Sequence, residues 1–304
     1  MNIEQLRDEF EKTKKVYDCA LIKFIGVDGF DVYNCSIPFV WNGNKYIYGR
    51  VEKRDEWARS WVRLFKETGK DEFTLVKESM IYQLEDPYIA EIGGELVLGG
   101  THVPYRCGEP NSFSGYFYRG KDLEDLFYFT TGPDGMKDIR LVELPEGIGI
   151  FSRPNGRVGF TMISDINELN DEVISNAKII DMFDEDEYGG CNQCYYLGGS
   201  LIGVIAHQAY SNCPNMLRYI NISCVYDYKA DKVLDKKVIG TITCYPHVDG
   251  SKKEPGKPER DMSDVSFSSG IVLRNDGKVD LYSGLCDVCE GRITIDDPFS
   301  EYRQ

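Results

Sequence analysis

Short apolar runs succeed one another along almost the whole chain, with Gly, Asn and Asp between them. They include Cys19–Phe24, Lys45–Tyr48, Trp61–Phe65, Gly94–Leu98, Leu126–Phe129, Ile148–Phe151 and Arg157–Phe160. The last third adds Leu201–Ile205, Ile220–Val225, Gly270–Leu273 and Lys278–Tyr282. Runs of this length bounded by turn residues predict strands, and their regular recurrence predicts a sandwich, barrel or propeller. The start of the chain differs. Ile3, Leu6 and Phe10 recur at helical spacing among charges, which predicts one amphipathic helix over residues 2–15. Ile166–Ala177 predicts no more than a turn or two of helix.

A repeated unit separates the β architectures: an apolar strand, a Gly- or Asn-bearing turn, a second strand, then a small or charged exit. It is seen at Ser36–Tyr48, Ile89–Leu98, Val142–Phe151, Cys194–Val204 and Gly270–Tyr282. Five copies predict an all-β five-bladed β-propeller with a short N-terminal helix (residues 1–16), the whole of 1–304 forming one domain. The alternative is a β-sandwich whose hairpins merely look alike. Residues 246–263, rich in Pro, Lys, Glu and Gly, predict an exposed loop between the last blades. In a propeller the innermost strands line one axial pocket, so polar residues at the repeat exits converge although they are far apart in sequence. The exits carry Arg50, Glu52 and Arg54, then His102, Arg153, His207 and Asp287.

Charge narrows the partners. The formal net charge is −15, which argues against a nucleic-acid or anionic-membrane surface, since those need clustered Lys and Arg. The first residues show no basic segment followed by an apolar run, and no window is apolar enough to span a bilayer, so the expected location is cytoplasmic. Ten cysteines are scattered through the chain, which reads as reduced, buried thiols rather than a disulfide framework. Cys191/Cys194 and Cys286/Cys289 have metal-ligand spacing. Residues i and i+3 of an extended strand face opposite ways, however, so no metal is expected. Glu85-Asp86-Pro87 sets two carboxylates before a proline that biases Asp86 toward extended backbone, at a strand entrance. Locally this is also what a solvated acidic turn looks like.

Several stretches, in order, resemble the β-mannoside phosphorylases of glycoside hydrolase family 130. They resemble still more the dual-activity mannosyltransferase/phosphorylases of glycosyltransferase family 108. Tyr48-Gly49-Arg50-Val51-Glu52 is similar to the family's Tyr-Arg-(Ala/Val)-Glu exit, and Glu85-Asp86-Pro87 to its Glu-Asp-Pro-Arg motif. Lys137-Asp138-Ile139-Arg140, Leu144-Pro145 and Ser152-Arg153-Pro154 resemble its Asn-Lys-Asp…Phe-Pro…His-Arg-Pro block. Ser200–His207 is similar to Trp-Leu-Leu-Ile-Tyr-His, and Asp264–Gly270 with Tyr282–Asp287 to the closing pair of motifs. Tyr88 stands where the family has Arg, and Ser152 where it has His. Gly189-Gly190-Cys191-Asn192-Gln193 replaces a Gly-Gly-Gly-Pro-Pro-like entrance. These departures fit the transferase-like branch better.

The resemblance implies a five-bladed propeller that reversibly transfers mannose from a β-mannoside to phosphate with inversion, yielding mannose 1-phosphate. In the transferase relatives it implies GDP-mannose as donor for β-1,2-mannan. Such a phosphorylase needs one acid and an anion clamp, because phosphate is already a nucleophile. Asp86 is the implied acid, acting through a mannose hydroxyl. Arg50, Arg54, Lys137, Arg153 and His207 are the candidate phosphate or diphosphate ligands. Glu52, Glu85, Asp138 and Asp287 are the candidate sugar-binding residues. No cofactor is implied beyond phosphate as co-substrate. The partners expected are a mannoside or oligomannoside and a phosphate or sugar phosphate, with no nucleic acid and no membrane. Two other readings stand beside this one: an inverting β-mannosidase using Glu52 or Asp287 as second carboxylate, and a non-catalytic glycan-binding propeller built on its 20 tyrosines.

Overall fold

The computed structural model describes residues 2–303, apart from 57–58, 107–108, 111, 185–186, 211–215 and 251–260. The predicted helix runs Ile3–Thr13. Asn2 accepts the Gln5 backbone N–H at 3.0 Å and donates its own N–H to the Gln5 side chain at 3.2 Å, a reciprocal cap for two otherwise orphaned donors. Lys14 already has extended ψ, which ends the helix short of residue 15. Ile3, Leu6 and Phe10 lie on the strands around Ile202 and Ile222.

The remaining regular structure is strand, with short helical turns at Pro154–Gly156, Ile166–Glu168, Asp171–Ser175 and Ile242–Cys244. One four-stranded antiparallel sheet orders Phe127–Asp134, Ser114–Gly120, Glu95–His102 and Glu85–Ile92. A second orders Arg140–Leu144, Gly147–Ser152, Gly159–Ile163 and Lys178–Ile179. A 14-stranded sheet contains the rest, apart from a two-stranded antiparallel pair, Tyr105–Arg106 with Glu109–Pro110. Within it, antiparallel ladders meet at short parallel contacts. Met216–Tyr219 runs beside Asp261–Val265, and Cys289 pairs with Val32.

The sheets face one another across shared cores, which explains why so many strands are apolar at consecutive positions. Ile150 packs with Val97, Phe117 and Leu141, whereas the next residue, Phe151, packs with Ile202, Val204 and Tyr226. Ile205 and Ala206 divide in the same way between two clusters. Successive side chains of a strand point to opposite faces, and here each face meets a neighbouring sheet, so neither is left for water.

Three expectations change. The segment 246–263 is only partly loop: strand resumes at Asp261, and 251–260 lies outside the described residues. Cys191 and Cys194 do not face opposite ways. A bulge between Cys191 and Gln193 shifts the register, so both thiols enter one core. The eight described cysteines are free, but Cys19 is exposed rather than buried, and Cys107 and Cys213 fall outside the described residues. Among the described residues no three His, Cys, Asp or Glu side chains are grouped as metal ligands, and no helix is long and apolar enough to cross a membrane.

The first strand of the chain, Asp18–Leu21, pairs with the last, Cys289–Asp296. Arg292 sits on that seam, 3% exposed. It bonds Asp71 at 2.6 and 2.9 Å, Asp18 at 3.0 Å and Asp280 at 3.2 Å. Removing it would leave partly buried carboxylates uncompensated. Arg292→Ala is expected to cost about 3 kcal/mol of stability, read as a lower thermal midpoint by calorimetry; an unchanged midpoint would show that the seam holds without it.

Candidate active site

Asp86 does not adopt the extended backbone expected before a proline. Its φ is +49°. Glu85 pairs with Thr101 and Tyr88 with Gly99, so Asp86 and Pro87 together stand opposite the single residue Gly100. Asp is among the few side chains that tolerate this left-handed conformation, and Pro87 has no N–H for the bulge to orphan. Gly100 is needed here, since a Cβ on it would lie 2.9 Å from the Glu85 carbonyl oxygen. The local strain aims the Asp86 carboxylate away from the sheet, toward Arg50 and Asn34.

Arg50, on the strand Asn44–Glu52, is the centre of this half of the site. Its Nη1 donates to Asp86 at 3.0 Å, its Nη2 to Glu52 at 2.9 Å, and its Nε to Ser60 Oγ at 2.9 Å. Glu85 Oε1 lies 3.1 Å from the same Nη2. Ser60 also donates to Glu52, and Tyr33 places its ring face 4.8 Å from the guanidinium. Three carboxyl groups thus share one cation in a region closed to water. Burial, with Asp86 and Glu52 adding to it, outweighs Arg50 and pushes Glu85 up to about 7. Glu85 is therefore able to take up or release a proton close to neutral pH.

Asn34 joins Asp86 to Asp287. Its Nδ2 is 2.9 Å from Asp86 and 3.5 Å from Asp287. Asn34 and Asp287 both have positive φ, at +46° and +53°. Gly284 makes room, for a Cβ there would fall 1.8 Å from Asn34 Oδ1. Behind the Asn34 turn lies Glu290, wholly buried, which accepts the Cys35 N–H at 3.1 Å and the Ser269 hydroxyl at 2.7 Å. Burial raises its carboxyl to about 7.

The other half of the site carries the cations. Arg153 Nη1 donates to Asp138 at 2.7 Å. Asp138, at φ +59°, is packed so closely on Gly190 that a Cβ there would come within 2.5 Å of its Oδ2. Burial works to raise the Asp138 carboxyl, but Arg153, with His207, Lys137 and Arg140 behind it, holds it well below the usual carboxylate range. His207 is 2% exposed and stacks near Phe267 and Tyr219, and its Nδ1 is 2.9 Å from Asn192 Oδ1. Burial drives its imidazole down to about 3, and Asp138 offsets this only in part. Lys137 has no hydrogen-bond or ion-pair partner among the described residues, and Arg153 Nε is buried without one. The halves lie within electrostatic reach: Lys137 acts on Glu85, and Asp86 on His207.

Most of the expected residues therefore converge, but Arg54 does not, and His102 stands one strand outward, next to Thr101. Arg54 is half-exposed and clamped by Asp31 at 2.5 and 2.7 Å, so its fork is already occupied. Arg140 is buried, donates to the Asn192 and Ile139 carbonyls, and lies 4.6 Å over the Tyr88 ring, where the family pattern has an arginine. Ser152, in place of a histidine, is buried against the Ile174 carbonyl. Asn34, Ser60, Asn192 and Glu290 were not singled out from sequence. Nothing local marks them: Ser60 and Asn192 meet partners 8 to 15 positions away, whereas Asn34 and Glu290 reach theirs only through the pairing of distant strands.

The model of the family described as "Protein of unknown function (DUF1861)" matches residues 8–301. No curated protein matches the chain. A mannose phosphorylase from Leishmania mexicana, solved in complex with phosphate ion, is 48% identical at a TM-score of 0.92, covering 99% of this chain and 95% of that one. A GDP-Man-dependent mannosyltransferase from the same organism is 43% identical at 0.93, covering 100% and 96%. The β-1,2-mannobiose phosphorylase of Listeria innocua is 15% identical at 0.63, covering 88% and 91%, a likeness of fold alone.

The His207 imidazole should stay neutral throughout the physiological range. Its folded value lies below the unfolded value of about 6.5, so it subtracts stability as pH falls below that point. Nitrogen-15 NMR of the ring is expected to show no titration between pH 5 and 8. A midpoint near 6.5 would mean that the ring is solvated rather than buried.

Proposed function

The chain belongs to the family described as "Protein of unknown function (DUF1861)" and is similar over its length to the Leishmania mannose phosphorylase and mannosyltransferase, and from that premise we propose an enzyme that transfers mannosyl groups. Its reaction is reversible, inverting phosphorolysis of β-mannosides, β-1,2-linked oligomannosides above all, to mannose 1-phosphate. GDP-mannose serves as an alternative donor at the same site. We read the antiparallel ladders as the five blades of a single propeller domain around this pocket, and place the enzyme in the cytoplasm with no cofactor besides phosphate.

One observation carries the reading. A cationic pair with unfilled donors, Lys137 and Arg153, stands within electrostatic reach of a buried carboxyl set in which Glu85 is pushed up to about 7. That is the charge pattern an inverting phosphorylase requires. Phosphate held by Lys137 and Arg153 attacks the anomeric carbon as the glycosidic C–O bond breaks. Asp86 sends its proton, through a mannose hydroxyl, to the departing oxygen. The Arg50-centred set returns a proton to Asp86 afterwards, and the proton that hydrogen phosphate gives up on becoming mannose 1-phosphate restores the set. Asp138 keeps Arg153 oriented, and Asn34 and Asp287 meet sugar hydroxyls. His207, neutral and with Nδ1 engaged, borders the anion as a hydrogen-bonding group rather than a charge. A water-using mannosidase would need Glu52 or Asp287 as base, and Glu52 is committed to Arg50 and Ser60.

Asp86→Asn is expected to lower phosphate-dependent release of mannose 1-phosphate by about 10³-fold or more, taking general-acid catalysis together with its positioning, while the protein stays folded. Undiminished turnover in that variant would remove Asp86 from the mechanism. Lys137→Ala should raise the KM for phosphate about tenfold, the equivalent of ~1.4 kcal/mol, with the KM for mannoside little changed. The proton held by Glu85 is lost as pH rises through about 7. Phosphorolysis should accordingly decline on that alkaline side, and Glu85→Gln should move the limb. A limb at the same pH in wild type and Glu85→Gln would detach Glu85 from the proton supply.

A further inference from the structure

His102, at the end of the repeat that contains Asp86, has no part in the reaction described above. Its neighbour Thr101 pairs with Glu85, so the ring stands one strand outward from the carboxyl set. From there an aromatic series steps toward the outer edge of the sheet. The His102 ring is stacked 4.4 Å from Tyr116, and Tyr116 lies 5.6 Å from Tyr128. The four strands of this sheet sit about 4.8 Å apart, so the series reaches roughly 15 Å outward from Glu85, the scale of a short oligosaccharide.

The polar atoms along these rings are left open in a particular way. His102 Nδ1 is 2.9 Å from the Gln83 carbonyl oxygen, which can only accept, so Nδ1 donates, and Nε2 has no partner among the described residues. The Tyr116 hydroxyl has no protein partner, and it is not among the buried unpaired atoms, so it reaches solvent. Tyr128 is 53% exposed, its hydroxyl 2.7 Å from Thr131 Oγ1. Ring faces with open donors and acceptors at their edges suit a ligand that presents apolar C–H faces and many hydroxyls. No arginine or lysine is stacked on these three rings among the described residues, so the surface offers little to an anion.

Resting on the mannosyl-transfer reading, we propose that His102, Tyr116 and Tyr128 form a platform for the outer sugar units of an oligomannoside whose reacting end lies at Asp86. The platform sets chain-length preference: units close to the reacting bond are held by the Arg50 half of the site, and units further out by the rings. The occupant is a neutral glycan continuous with the substrate, not a separate ligand.

The test is calorimetric binding of β-1,2-linked oligomannosides of about two to five units to the wild type, Tyr128→Ala and Tyr116→Phe, with phosphorolysis of the same series measured alongside. Tyr128 is exposed, so its truncation leaves the core intact, and Tyr116→Phe keeps the ring while removing the hydroxyl. The expected result is that affinity rises with length in the wild type and that Tyr128→Ala weakens the longest chain about tenfold while leaving the disaccharide unchanged. Affinity in the wild type that is independent of length, or a loss in Tyr128→Ala that is equal at every length, would overturn the platform. Binding with this length dependence but without phosphorolysis or transfer from GDP-mannose would instead overturn the reaction on which it rests.

Discussion

A single buried guanidinium holds the acidic half of this site together. Arg50 spends each of its nitrogens on a different group, and three of its neighbours are carboxyls on two separate strands, Glu52 at the end of one and Glu85 and Asp86 at the bulged start of the other. One positive charge cannot neutralise three negative ones in a region shut off from water. The imbalance shows in Glu85, whose carboxyl is pushed up to about 7. The strain at Asp86, the bare Cα of Gly100 and the tie through Asn34 all serve to keep its carboxylate in front of Arg50.

The cationic half is built by the opposite imbalance. Lys137 and Arg153 bring two charges against the one carboxylate of Asp138, and donors on both remain unfilled. His207 does not add a third, because its surroundings exclude the charged form. An anion entering this region would meet hydrogen-bond donors already set in place, which lowers the reorganisation that binding would otherwise require.

Much of this was readable from the residues. The apolar runs marked the strands because most strands here are buried on both faces. Glu85-Asp86-Pro87, Lys137-Asp138, Arg153 and His207 were recognisable from their order along the chain. What escaped the sequence was conformational. Pro87 suggested an extended Asp86, but the bulge opposite Gly100 took precedence, and a bulge at Asn192 likewise turned Cys191 and Cys194 to one side. Arg54 matched Arg50 in type and position, yet Asp31 across the strand pair claims it. Asn34 and Glu290 bear no local mark. Their roles exist only once residues more than 250 positions apart lie side by side.

The pairing of Asp18–Leu21 with Cys289–Asp296 carries a consequence for how the protein comes into being. Asn34, near one end of the chain, meets Asp287 near the other, and the Cys35 N–H rests on Glu290. No contiguous fragment short of nearly the full length contains both sides of that contact. During synthesis the acidic half must wait, its Arg50 and Asp86 made early and its Asn34 support completed last. Contacts of such long sequence separation are slow to form. The appearance of activity would therefore report closure of the seam between the two ends of the chain, and a partly folded chain would hold Asp86 without the frame that aims it.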